Sequence, residues 1–242
     1  MTAGAGRRLR PLGFLELLCL FGIPTALNAV ACKIAIPWVN TWGRMPIEVS
    51  YFLCVGLLVL VPMFLGGLIL SAEEAKSTRM RDVFDRMRVR PIRGRDWLWT
   101  VATFLALSLA SYVIANMLMP RVGLDAMPFF FRNMPLGPED RWILAVWPAF
   151  FFFNIFGEEF YWRGYVQPRQ ELLTGPWTWL VHGVLWAAWH LPMGLDLIVA
   201  ALPIFFILPA VVQLRKNTSI AITVHAVFGA FGFLALALGF VH

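Results

Sequence analysis

The sequence predicts an all-α fold, a polytopic membrane helical bundle of about seven or eight transmembrane helices forming one integral domain over residues 1–242. Composition is the first reason. Hydrophobic residues make up 60% of the chain and charged residues 14%, with a mean hydropathy of +0.71, whereas a soluble domain is nearer half apolar and a quarter charged. The second reason is the length of the apolar runs, which approach the ~20 residues that a helix needs to cross a bilayer. They are rich in Leu, Phe and Trp and do not alternate as barrel strands do. The same composition excludes a disordered chain and a collagen. Cys19, Cys32 and Cys54 show no pairing pattern and read as packing residues, not a disulfide scaffold.

The apolar stretches fall near 11–32, 46–70, 97–119, 142–163, 177–200, 201–214 and 219–241. The first follows Arg7, Arg8 and Arg10, and Ala29-Val30-Ala31-Cys32 within it has some likeness to a lipoprotein cleavage box. Its run is longer than a signal-peptide core, so it reads as a retained first helix. Segment 71–96 holds eight basic residues from Lys76 to Arg95, mixed with Glu73, Glu74, Asp82, Asp85 and Asp96. It reads as an interfacial loop against anionic lipid head groups. Segment 119–141 sets Pro120, Pro128, Pro135 and Pro138 around Phe129-Phe130-Phe131 and reads as a loop on the opposite side, its aromatics at the interface. Pro192 and Pro203 interrupt the fifth and sixth stretches, which predicts a kink or a break inside the membrane.

With seven spans, 15 of the 20 Lys and Arg residues fall on the amino-terminal side of the bundle. Lys33, Arg44, Arg121, Arg132 and Arg141 fall on the other. Basic residues accumulate on the cytosolic side, so the expected topology is multi-pass in an inner or plasma membrane, amino terminus cytosolic and carboxyl terminus outside. The net charge of +6 then reports orientation. Membrane lipid is an expected partner and nucleic acid is not.

Ionisable residues inside hydrocarbon are costly, by about 2.5–3.5 kcal/mol each on insertion scales, and by default mark a site. Asn154 to Arg163 holds two adjacent carboxylates and an arginine after a run of phenylalanines. At about 100° per residue, Asn154, Glu158, Tyr161 and Tyr165 share a helix face, while Glu159 and Arg163 are four apart on another, suited to an ion pair. Glu159 is thus the neutralised carboxylate, and Glu158 the free one. His182, His190 and His225 also lie in apolar stretches. A lone intramembrane His is more often a packing group than a catalyst, but Glu158, His190 and His225 come from three different helices. Gly175-Pro176 marks a turn; Glu158 lies about 25 Å before it and His190 about 21 Å after it, so a hairpin brings them level. His225 lies nine residues after Lys216, about 13 Å into the membrane. All three can meet in the cytosolic half. Thr218, Ala221, Gly229 and Gly232 fall near the His225 face, which suits either close helix packing or a cavity above the histidine.

Glu158-Glu159-x-x-x-Arg163, Trp186-x-x-x-His190 and His225-x-x-x-Gly229, in this order, resemble the CPBP family of CAAX proteases and bacteriocin-processing or immunity proteins, related to the type II CAAX prenyl endopeptidase. The resemblance covers residues 140–235 as a catalytic core. It implies intramembrane peptide hydrolysis, with Glu158 and His190 activating water and His225 stabilising the oxyanion. Asn154, Glu159, Arg163 and Trp186 support them. Two positions depart from the family pattern: Trp186 stands for Phe, and Gly229 for the Asn that supplies a second oxyanion donor. The substrate implied is a peptide or a prenylated C-terminal tail, cut near the cytosolic membrane face.

Residue chemistry agrees with hydrolysis. A carboxylate in a low-dielectric site has a raised proton affinity, which suits a general base, and an adjacent His can share its water. Two His and one Glu also form a known zinc ligand set, so Glu158, His190 and His225 are the ligands if a metal binds; zinc and no cofactor are both compatible. The zincin His-Glu-x-x-His, Gly-x-Ser-x-Gly and Gly-x-Gly-Asp are absent. Two other classes stay open: a catalytically silent scaffold or immunity-type binding protein, suggested by Gly229, and a proton-coupled transporter, which the lack of internal repeats disfavours.

Overall fold

The computed structural model describes residues 9–240; Arg7 and Arg8, counted above with the amino-terminal charges, lie outside them. The described residues form helices and no strand. α1 runs over Phe14–Trp42, α2 over Ile47–Ala75, α3 over Met80–Arg86, α4 over Arg95–Val122 and α5 over 143–174. α6 is Thr178–Trp189, α7 Leu195–Ala200, α8 Leu202–Arg215 and α9 Thr218–Ala237. Among the described residues five continuous runs are long and apolar enough to cross a bilayer. One of them, Ile143–Trp189, folds back at Gly175, whose φ of +56° suits glycine, and so supplies both α5 and α6. The predicted turn is therefore present.

Two spans differ from their sequence boundaries. The first does not stop near residue 32 but continues to Trp42 through a wide i→i+5 turn at Ala31–Ala35. Lys33 is exposed there, where its long stem can carry the ammonium toward head groups. The fifth is divided. α6 ends at Trp189, Leu191–Met193 makes one tight turn, and Gly194 takes a φ of +113° before the six-residue α7. Pro192 lacks the N–H that would continue the helix, so His190 sits at a break, as the proline predicts.

Close backbone approach fixes α2 against α5. A Cβ on Gly157 would lie 2.6 Å from the Leu60 carbonyl oxygen, and one on Gly67 would lie 3.0 Å from the Phe160 backbone. Lipid is as apolar as a side chain, so small residues that admit such packing supply much of the association between membrane helices.

The two ends of the bundle differ in chemistry. Segment 71–96 is more than an interfacial loop. It contains α3, and Val83 and Met87 are buried against Phe160. The Thr218 N–H donates to the Arg88 carbonyl at 2.9 Å. Ion pairs tie the same end together: Arg88 to Glu171 at 2.9 Å, Arg169 to Glu74 at 2.6 Å and Arg215 to Asp96 at 2.8 Å. Satisfying these charges within the protein explains why the segment folds inward. At the other end the phenylalanines of 119–141 also turn inward instead of lying at the interface. Phe130 stacks on Tyr51 with ring centroids 3.8 Å apart, and Phe131 meets Phe233 at 5.6 Å. The Leu136 N–H donates to the Ala237 carbonyl, holding this loop on the end of α9.

Candidate active site

The helix that carries the paired carboxylates changes its winding at the site. α5 is α-helical to Glu158, and Glu159–Val166 is π-helical. Wider i→i+5 turns of this kind recur at functional positions. The change splits the polar face expected from a uniform 100° step. Asn154 and Glu158 stay together, the Asn154 amide donating to Glu158 Oε1 at 2.8 Å. Tyr161 instead turns to α1, its hydroxyl donating to the Leu20 carbonyl, and Tyr165 lies against the Arg169 guanidinium at 4.0 Å.

Trp186 is the hub. Its indole N–H donates to Glu158 Oε2 at 3.0 Å. Its ring lies 5.8 Å from the His190 ring, 6.4 Å from the His225 ring and 3.5 Å under the Arg163 guanidinium. The sequence shows only that Trp186 stands where the family pattern has Phe, and the indole N–H as a donor to Glu158 is missed there. The family pattern, in which Phe has no N–H, is the signal that could have exposed it.

Glu159 and Arg163 are fully buried and pair at 3.4 Å, the contact expected from their spacing. Glu159 also does something the sequence does not reveal: its Oε1 lies 2.8 Å from His225 Nδ1. A carboxylate accepts, so Nδ1 of His225 carries the hydrogen, and a protonated His225 has a second N–H at Nε2. For His190 the partner at Nδ1 is the Trp186 carbonyl at 2.9 Å. A carbonyl can only accept, which leaves Nε2 of a neutral His190 as a bare acceptor. His182 lies apart from this group, its Nδ1 2.8 Å from Gln170 Oε1 and its ring edge-on to Phe21.

Asn154, Glu158, Trp186, His190 and His225 all line one cavity of about 410 Å³. Gly229 and Gly232 line it too, and a Cβ on Gly229 would meet only a Phe151 ring carbon at 3.4 Å. Both readings of this face hold: Thr218 and Ala221 are fully buried in close packing, and Gly229 and Gly232 leave the space above the histidine. Residues 140–231 match the family model described as type II CAAX prenyl endopeptidase, Rce1-like. This part of the chain is similar to the CAAX protease family. No curated protein and no solved structure matches the chain. The general activity that goes with that family is peptide hydrolysis within a membrane, and the matched segment contains Asn154, Glu158, Trp186, His190, His225 and Gly229 of the cavity lining.

A zinc ion would need ligand atoms about 2.0–2.2 Å away. The cluster does not fit one. Among the described residues no group of three or more His, Cys, Asp and Glu is arranged to hold a metal. The Glu158 carboxylate already accepts from Asn154 and Trp186, and the Trp186 ring flanks both imidazoles. The ligand set Glu158, His190 and His225 is therefore not assembled.

Proposed function

We propose that this chain is an intramembrane endopeptidase in which Glu158 and His190 activate water and His225 stabilises the oxyanion. The observation that carries the reading is the meeting of these side chains, from α5, the α6–α7 break and α9, on one intramembrane cavity. A water between the Glu158 carboxylate and His190 Nε2 gives up a proton, and its oxygen attacks the carbonyl carbon of the substrate. The developing alkoxide receives the Nε2–H of protonated His225, whose charge Glu159 balances. The proton held by the acid–base pair then passes to the leaving amine as the C–N bond breaks. Arg163 shares the Glu159 carboxylate with His225 and covers Trp186.

Gly229 removes one donor from the oxyanion site, a loss worth about 10²–10³ in rate. Asn154 offers a replacement. One amide hydrogen holds Glu158, and a second remains on a side chain that lines the cavity. The test is cleavage of membrane-inserted peptides by purified protein. Activity lost in Glu158→Gln and raised tenfold or more in Gly229→Asn supports the hydrolase. Gly229 also favours the silent-scaffold reading, and no cleavage by either the native chain or Gly229→Asn would establish that alternative.

A further inference from the structure

The cavity has a direction. On each long helix its lining residues run from the level of Glu158 away from the basic end: Trp147, Phe151 and Asn154 on α5, and Phe228, Gly232 and Leu236 beyond His225 on α9. Ala126 and Phe130 of the loop that contacts the far end of α9 complete the wall. Ala126 and Gly232 are exposed, and no atom lies within 4 Å of where a Gly232 Cβ would be. Toward the basic end the site is shut. Glu159, Trp162, Arg163 and Met87 are wholly buried. The Thr218 hydroxyl lies within hydrogen-bond reach of the Met87 and Arg163 carbonyls, at 2.7 and 3.3 Å, and closes the remaining side.

The excess of positive charge lies at the shut end. It holds Arg10, the basic residues from Lys76 to Arg95, Arg169, Arg215 and Lys216. At the open end Lys33, Arg44, Arg121, Arg132 and Arg141 are matched by Glu48, Asp125, Glu139, Asp140 and Asp196. Basic residues stay on the cytosolic side, so the shut end faces the cytosol.

We propose that the cavity receives its substrate from the non-cytosolic face, as the outward end of a membrane-anchored polypeptide. This rests on the endopeptidase reading and replaces cleavage near the cytosolic face, since a cytosolic prenylated tail meets the shut end. The reacting groups do lie in the cytosolic half, His225 being seven residues into the 20-residue α9. The remaining path to the open end is about 18 Å at 1.5 Å per helical residue. An extended chain covers that distance in about five or six residues. The scissile bond thus lies about that many residues inside the outer boundary of the substrate's span, which must unwind to reach it.

Two measurements test this. In intact cells, a membrane-impermeant thiol reagent should label Ala126→Cys in a chain lacking Cys19, Cys32 and Cys54, and should label Arg90→Cys only after permeabilisation. A carboxyl-terminal reporter on the native chain, active only outside the cytosol, repeats the assay with all cysteines present. The opposite pattern overturns the proposal. In oriented vesicles, a single-span substrate with its cleavable segment at the outer end should be cut at least tenfold faster than one with that segment at the cytosolic end or one with a prenylated cytosolic tail. Preferential cutting of either cytosolic arm overturns the proposal. No cutting in any arm, with Ala126→Cys labelled from outside, overturns the hydrolase reading and the substrate assignment while the side of entry stands.

Discussion

Trp186 touches each group the proposed chemistry uses, and it does so through two different parts of its side chain. The ring lies beside both imidazoles and carries the Arg163 guanidinium, while the N–H fixes the Glu158 carboxylate. Trp186→Phe keeps the ring and deletes the hydrogen bond. A hydrogen bond to a charged group is worth about 1.5–3 kcal/mol, so the melting temperature should drop, and kcat measured well below it should fall roughly ten- to hundredfold. An unchanged kcat would show that Asn154 alone orients Glu158. Glu158→Gln and Arg163→Ala separate chemistry from folding in the same way. The first should abolish cleavage with nearly native stability. The second leaves Glu159 buried without its cation and should cost about 3–5 kcal/mol in a thermal or denaturant assay; equal losses in the two variants would refute the division. Glu158, His190 and His225 are legible in the sequence because ionisable groups in apolar runs are expensive and therefore conspicuous. The Glu159–His225 contact is not, because it joins two helices 66 positions apart whose rotation no local pattern specifies.

At the scale of elements, hydropathy marks where helices lie but not how they wind. The π-helical turns at Ala31–Ala35 and Glu159–Val166 leave the apolar run unbroken, so the length of α1 and the splitting of the Asn154–Tyr165 face escape a fixed 100° step. Pro192 and Gly175, which act on the backbone itself, are read correctly as a break and a turn. The contact between α2 and α5 depends on backbone approach in the same direct manner. Gly157→Ala would press a methyl group against the Leu60 carbonyl, and overpacking of this kind costs about 1–3 kcal/mol. A lowered melting temperature in detergent is expected, with cleavage reduced in step as Glu158 shifts with its helix. Gly22→Ala on α1, where nothing lies within 4 Å, should melt as the native protein does. Equal melting of both variants would mean that the helices separate freely enough to absorb the methyl group.

Across the whole molecule, the basic end is shut and the other end opens beside Ala126, where the loop that carries Phe130 roofs part of the mouth and leaves the aromatic cluster around Tyr51 to set what enters. Tyr51 stacks on Phe130 at 3.8 Å, lies 5.2 Å from Phe150 and 6.2 Å from Phe131, and lines the cavity with all three. The loop that supplies Phe130 and Phe131 reads from sequence as interfacial because a Phe triplet between prolines looks alike whether its rings meet lipid or protein; only the position of Tyr51, far away in sequence, decides it. Removing the Tyr51 ring should widen the path and loosen this roof. For Tyr51→Ala the loss of packing costs about 3–5 kcal/mol by analogy with other buried aromatics, so stability falls. Selectivity should move independently of it: the cleavage rate of a substrate with Trp near the scissile bond, relative to one with Ala there, should rise severalfold. Tyr51→Phe preserves the stacked ring and should keep both the stability and the ratio. If the ratio stays constant in Tyr51→Ala while total activity drops, the ring serves only to hold the bundle together, and substrates reach Glu158 by a path that does not pass beneath Phe130.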